Sequence, residues 1–361
     1  MILCFSIRAM GDLMQKCHGD IKNCALIKRS MPRHKAAVGR LKATTTDSQE
    51  QTAQFFIDYL ERITLPTCLI LDNQNLSLAS IQALAIVLRI DTNLSHLYFN
   101  KSQLSSSIEV LAQTLEINAN LRFLSLCETN LNEANVKALA RMLRVNTHLH
   151  ALDLSYNYLN DASIADLSEA LQLNKSLRFL ELEKCELSDA GISTLAQALA
   201  ADTGRLRSLN LSFNHFNEAR VIALAVALVA NRSLRSLRFL HDDSQLSYST
   251  KLSKACIIEV ATMLKVNTTL RSLTLETYVD CEESKMILTE ALAINTGLHQ
   301  VYFGDLSTID VAIIPDKVLE KNTSLHSLRN RPGLLKPNTT KALLRNRQHC
   351  HDISSAAVIF F

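Results

Sequence analysis

The sequence predicts an α/β solenoid of about ten units, each near 28 residues, with parallel strands on the concave face and helices on the convex face. Two observations predict it. The phrase "LDLSYNYLNDASIADLSEAL", from Leu152 to Leu171, returns as "LELEKCELSDAGISTLAQAL" from Leu180 to Leu199. The pattern L-x-x-L-x-L starts at Pro66, Leu94, Leu121, Leu149, Leu177, Leu206, Leu234, Leu270, Leu298 and Leu325, in steps of 28, 27, 28, 28, 29, 28, 36, 28 and 27 residues. A fixed period of this length marks stacked supersecondary units.

Each unit combines two hydrophobic periods. Leu152 and Leu154 stand two apart, the spacing of one face of a strand. Downstream, apolar residues recur at i, i+3, i+4 and i+7, the stripe of a helix. Ile81/Leu84/Ala85/Leu88, Val136/Leu139/Ala140/Leu143, Ile192/Leu195/Ala196/Leu199 and Ile257/Val260/Ala261/Leu264 all follow it. Eleven residues after six successive starts stand Ser77, Ser105, Asn132, Asn160, Ser188 and Asn217. These are helix N-cap types, whose side-chain oxygen takes an orphan backbone N–H at about 1 kcal/mol each. At the helix ends stand Asn146, Asn174, Asn231, Asn267, Asn295 and Asn322, read as left-handed stops. No unit buries its own apolar face, so neighbours share one continuous core.

The frame "LxxLxLSxNxL…LxxAL", with Asn157, Cys185 and Asn214 eight residues after their starts, resembles leucine-rich repeats of the ribonuclease-inhibitor-like subclass. The resemblance covers roughly residues 50 to 330 and implies a horseshoe. Three regions follow: a basic N-terminal arm (1–46), the repeat domain with its cap helix "QTAQFFIDYLERI" (47–330), and a C-terminal cap helix and tail (331–361). The unit at Leu234 is eight residues too long, and the excess falls between Leu240 and Leu252. Pro315 interrupts the helix of the penultimate unit.

Composition narrows the function. The net charge is +3, yet residues 1–50 hold nine Lys/Arg against four acids, a balance of +5 that leaves −2 for the rest. The body has no basic stripe of the kind a nucleic-acid partner requires. No apolar run approaches a membrane span. The nine cysteines are scattered without a CxxC pair, which predicts free thiols in a reducing, intracellular compartment. Glycine-rich phosphate loops, HExxH and GxSxG are absent, so no catalysis and no cofactor are expected. The cluster His349–Cys350–His351 is too short to predict a metal site.

What remains is surface. The positions facing out of the concave sheet include His96, Tyr98, Phe123, Glu128, Asp153, Tyr156, Phe179, Glu181, Glu183 and Phe213. Aromatics flanked by charge characterise interface hot spots. The acids predict a protein partner with a basic patch. A second row, one residue after each start, holds Arg122, His150, Arg178, Arg207, Arg235, Arg271, His299 and His326. Each follows a helix end, where positive charge complements the dipole and bare carbonyls; the alternative is a grip on phosphates or on an acidic partner.

The chain therefore reads as a non-catalytic protein-interaction module. It also resembles stand-alone leucine-rich-repeat effectors of intracellular bacteria, which implies type IV delivery into a host cytoplasm. Two alternatives stay open: a GTPase-activating protein of the Ran activator type, and an inhibitor that caps a basic enzyme. Nothing in the sequence fixes an oligomeric state.

Overall fold

A computed structural model describes residues 38–40, 67–89, 94–104, 107–214, 217–240, 252–275, 281–302, 322–325 and 327–328. Most of the arm, both cap helices, Ser105, residues 241–251, Pro315, His326 and His349–His351 lie outside them. The chain divides into two compact units, one built on residues 1–157 and the other on 158–357.

In the first unit the strands are β1 (Val38–Arg40), β2 (Cys68–Ile70), β3 (His96–Tyr98), β4 (Phe123–Ser125) and β5 (Ala151–Asp153). They alternate, from β2 onward, with helices α1 (Leu78–Arg89), α2 (Ile108–Ile117) and α3 (Glu133–Val145). Each strand pairs in parallel with the next, and one repeat sets the register: Leu69 opposes Leu97, Leu97 opposes Leu124, and Leu124 opposes Leu152. These leucines are buried, as are Leu84, Leu111 and Leu139 of the helices.

The second unit continues the pattern. Its strands are β6 (Phe179–Glu181), β7 (Ser208–Asn210), β8 (Ser236–Phe239), β9 (Ser272–Leu275), β10 (Gln300–Tyr302) and β11 (Ser327–Leu328). Its helices are α4 (Asp161–Leu173), α5 (Asp189–Ala200), α6 (Glu218–Ala230), α7 (Lys254–Val266) and α8 (Glu282–Ile294). All the strand pairs are parallel, and α4 to α8 pack in sequence order. The fold is the predicted solenoid, with strands on one face and helices on the other. The long repeat keeps its strand to Phe239 and resumes its helix after Ser253, which caps Cys256 N.

The N-caps form as their residue types require. Asn132, Asn160, Ser188 and Asn217 each accept from the backbone N–H three residues on. Helix α2 differs from the expectation at Ser105. It begins at Ile108, and its N-cap residue Ser107 makes no capping bond.

The helix ends correct the sequence reading. The asparagines there are not left-handed: Asn146 has φ −68° and ψ 126°, and Asn231 has φ −67° and ψ 131°. Their role lies in the side chain, which joins one repeat to the one before. Asn267 Nδ2 donates to Leu228 O at 2.7 Å and Asn231 O at 3.2 Å, in the preceding repeat. Its Oδ1 accepts from Thr269 N at 2.9 Å and Leu270 N at 2.8 Å, in its own corner. Asn295 repeats this on Leu264 O and Asn267 O, and Asn322 on Leu292 O and Asn295 O. In the first unit Asn146 bonds Leu115 O and Asn118 O, and Asn118 bonds Leu88 O. One corner departs. At the end of the 29-residue step from Leu177 to Leu206 the chain reads Ala201-Asp202-Thr203-Gly204, and there Asp202 does turn left-handed at φ 48°. Gly204 is required beside it, because a Cβ would sit 2.5 Å from Leu171 O.

A test follows from this geometry. Asn267→Ala removes both bonds to the preceding repeat and strands buried donors in its own corner. Each unsatisfied buried group costs about 1–3 kcal/mol, so a loss of roughly 3 kcal/mol or more is expected in urea unfolding. Exposed Ile258→Ala on α7 should stay within about 0.5 kcal/mol of wild type.

Candidate functional site on the strand face

In a strand, alternate side chains leave opposite faces. The leucines take the helix side, so the intervening residues line the open strand face. The first unit brings together His96, Tyr98 and Phe123. The His96 ring stacks on Phe123 at 5.8 Å, and Tyr98 lies 4.9 Å from Phe123. Tyr98 and Phe123 are only 2% and 5% exposed, so they are packed rather than offered to solvent. His96 Nδ1 lies 2.8 Å from Ser95 Oγ, and burial holds its imidazole below the ordinary pKa against the raising effect of its Thr67 backbone bond.

Beside this aromatic group runs a polar chain across the strands. Asp72 Oδ1 accepts from Asn100 N at 2.8 Å. Ser125 Oγ lies 2.5 Å from Asn100 Oδ1 and 3.0 Å from Asp153 Oδ2. Asp153 Oδ1 accepts from Ser155 N at 3.0 Å. Asp153 is buried, and burial pushes its carboxyl pKa up, with the Ser155 and Ser125 bonds pulling the other way. Glu128 reaches Lys101 Nζ at 3.4 Å, in a pair that is half in solvent.

In the second unit Phe179 is 37% exposed on β6. Glu181, on the same strand, accepts from Arg238 Nη2 at 2.9 and 3.2 Å through its two oxygens. Glu183 Oε2 accepts from Asn210 Nδ2 at 3.0 Å. Arg238 escaped the sequence reading, though its signal was there. It stands four residues after its start, as Glu181 does, two repeats on. Strands 4.7–4.9 Å apart put that pair within reach of an arginine side chain. Two of the expected acids are therefore paired from within, Glu181 by Arg238 and Glu128 by Lys101, and Asp153 is buried.

The strand exits carry the second feature that sequence reasoning missed. Seven residues after successive starts the backbone turns left-handed on Asn73, Lys101, Glu128, Tyr156, Lys184 and Phe213, with φ from 52° to 60°. Only the first is a residue type that favours this region. The cost is roughly 1–2 kcal/mol for each of the others. The parallel pairing holds the turns in place: Lys101 N donates to Cys127 O, Glu128 N to Ser155 O, Lys184 N to Ser212 O and Phe213 N to Leu240 O. One residue after the exits at Tyr156 and Phe213, Asn157 and Asn214 fill the turn beneath. Asn214 Oδ1 accepts from Cys185 N at 2.9 Å and Leu187 N at 3.2 Å, and its Nδ2 donates to Leu182 O and Leu211 O. The turns place Tyr156 at the strand-face rim of the first unit, 42% exposed, and half-buried Phe213 at that of the second.

The described cysteines are free thiols. Burial, then Asp72, pushes Cys68 up to about 12, and burial with Glu218 and Glu259 does the same for Cys256, which removes both as nucleophiles at neutral pH. Among the described residues no group of His, Cys, Asp and Glu is arranged to hold a metal ion, and no helix is long and apolar enough to cross a membrane.

Asp153 supplies a pH test. Folded, it keeps its proton to a higher pH than the unfolded chain does. Its contribution to stability is full below the ordinary aspartate pKa of about 4 and is lost as pH rises through the raised folded value. The melting temperature of wild type relative to Asp153→Asn should fall as pH is raised from about 4 to 7. A difference that stays flat over that range would contradict the burial account.

A family comparison agrees with the repeats read here. The family described as Leucine Rich repeat matches residues 145–168 and 173–196. No curated protein matches. Among solved structures, a leucine-rich repeat-containing protein from Legionella pneumophila is 17% identical, with 89% of this chain and 98% of that chain covered and a TM-score of 0.49. An internalin from Listeria monocytogenes is 16% identical, over 84% of this chain and 89% of that one, with a TM-score of 0.39. The tropomodulin C-terminal domain of Caenorhabditis elegans is 20% identical, over 44% of this chain and 92% of that one, with a TM-score of 0.35. The chain carries leucine-rich repeats, and its fold is a leucine-rich-repeat solenoid.

Proposed function

We propose that the protein is a non-catalytic interaction module that binds a partner protein on its strand face. One observation carries the reading. Bulky, non-glycine residues sit in left-handed turns at the strand exits, exposed Tyr156 among them, and on the strand face of the second unit Phe179 stands exposed at the entry of β6. A residue held in a costly conformation that presents a hydrophobic side chain to solvent does nothing for stability. Such strain gathers at functional sites. Exposed aromatics are the commonest anchors of protein interfaces.

The partner's chemistry follows from what the face leaves accessible to solvent. With Glu181 held by Arg238, the second unit offers Phe179 as an apolar anchor, half-buried Phe213, and Glu183 beside Asn210. A partner with an apolar centre and a small basic rim fits these groups. The basic patch is a minor part of that recognition, not its driving force.

The test is affinity capture with mass spectrometry, comparing three baits. Phe179→Ala/Phe213→Gly removes the second unit's aromatics and relieves its left-handed turn, so the fold should be kept or slightly stabilised. Ile258→Ala/Met286→Ala removes exposed apolar residues from the helix face. A partner recovered with wild type and the helix-face bait but lost from the strand-face bait is the expected result. The reverse pattern would overturn the assignment.

A further inference from the structure

The row of basic residues one position after each repeat start divides into two kinds. Arg122 does what a helix-end base should: its Nη1 donates to Ala119 O at 2.7 Å and His148 O at 3.3 Å. Arg271 does the same with Thr268 O at 2.9 Å and Gly297 O at 2.7 Å. Between them in sequence, Arg178, Arg207 and Arg235 do not. Two other bases bond carbonyls near these corners. Lys175 Nζ bonds Gln172 O and Thr203 O, and Arg232 Nη1 bonds Val229 O and Asn231 O. Arg205 stands beside the row, exposed. Among the described residues, no carboxylate pairs with Arg178, Arg205, Arg207 or Arg235.

The spacing of this row is fixed by backbone bonds. Arg207 N donates to Arg178 O at 2.8 Å, and Arg235 N donates to Arg207 O at 2.7 Å. The three residues are thus rungs of adjacent parallel strands, about 4.8 Å apart. Arg207 and Arg235 are exposed and Arg178 is half-buried. The cost of the crowding shows at Arg207, whose guanidinium pKa is lowered first by desolvation and then by Arg178, Arg235 and Arg205. Like charges held in register without a counter-ion are destabilising, and among the described residues no carbonyl or carboxylate bond of these three side chains offsets that cost.

We propose that Arg178, Arg207 and Arg235, with Arg205 beside them, form a docking edge for an acidic helical segment of a partner protein. Acidic residues three or four apart on a helix stand about 5–6 Å from one another, which matches the rung spacing. A nucleic acid fits less well. Its phosphates call for a basic surface broader than one row, and here the same repeats carry Glu181 and Glu183 a few residues on. The edge is independent of the strand-face reading, since neither Phe179 nor Phe213 belongs to the row.

The probe is a labelled helical peptide with glutamate at every fourth position over three turns, read by fluorescence anisotropy at low salt. The same peptide with glutamine at those positions serves as reference, alongside single-stranded RNA and duplex DNA of matched charge. Wild type should favour the glutamate peptide over the glutamine peptide by about tenfold or more, and Arg178→Gln/Arg207→Gln/Arg235→Gln should lose about that factor. The charge-matched control Arg89→Gln/Lys137→Gln/Lys265→Gln should bind within about twofold of wild type, because none of the three belongs to the row and exposed charges outside a contact are screened. Equal binding of the two peptides by wild type would overturn the proposal, as would unchanged binding by the rim variant. Tighter, rim-dependent binding of RNA or DNA would replace the acidic helix with a nucleic acid. The single change Arg207→Gln, smaller in effect and in a residue without an ion-pair partner, guards against a folding artefact in the triple variant.

Discussion

Everything in this molecule hangs on how one repeat is fastened to the next at the corner between helix and strand. There the chain reverses, and its carbonyls and amides are buried where no helix or strand satisfies them. A buried asparagine side chain has both a donor and an acceptor end, and it closes that gap in both directions. Asn267 is 1% exposed, takes the two amides of its own corner and gives its protons to carbonyls of the repeat before. Because these asparagines grip the end of the neighbouring helix, the strands stay in register even across the 36-residue unit that Asn267 spans. That constancy puts Leu180, Leu209 and Leu237 in line on one side of the strands, and Phe179, Ser208 and Ser236 in line on the other.

From this regularity come two surfaces of opposite character. On the strand face the side chains interact across rungs and consume much of their own polarity, as Glu181 does with Arg238 and Ser125 with Asn100 and Asp153. What is left for a partner is mainly aromatic. At the strand entries the regularity instead stacks like charges, because every repeat delivers the same position to the same place. Arg122 and Arg271 spend their charge on carbonyls, while Arg178, Arg207 and Arg235 keep theirs.

The architecture was legible because it is written in periods. Two-residue and helical spacings alternate on a 28-residue beat, and capping residues fall between them. What escaped the sequence was each contact that joins different repeats. Asn146 and its equivalents announce a helix end, but a single position does not show that its side chain reaches back about 30 residues to Leu115. The left-handed turns were hidden for another reason. Lys101, Glu128, Tyr156, Lys184 and Phe213 have no shared chemistry and none of the glycine or asparagine that marks such turns. The aromatic cluster was half legible: alternation placed Tyr98 and Phe123 on the correct face, but only packing shows that they are buried there while Phe179 is not.

The central claim is that the strand face, not the helix face, meets the partner. Replacing Phe179 with a photoreactive phenylalanine analogue, and separately Ile258 on α7, tests it directly in the assembled complex. Cross-linking to the partner from position 179 and none from position 258 is the predicted result. Cross-linking from position 258 alone would contradict the account.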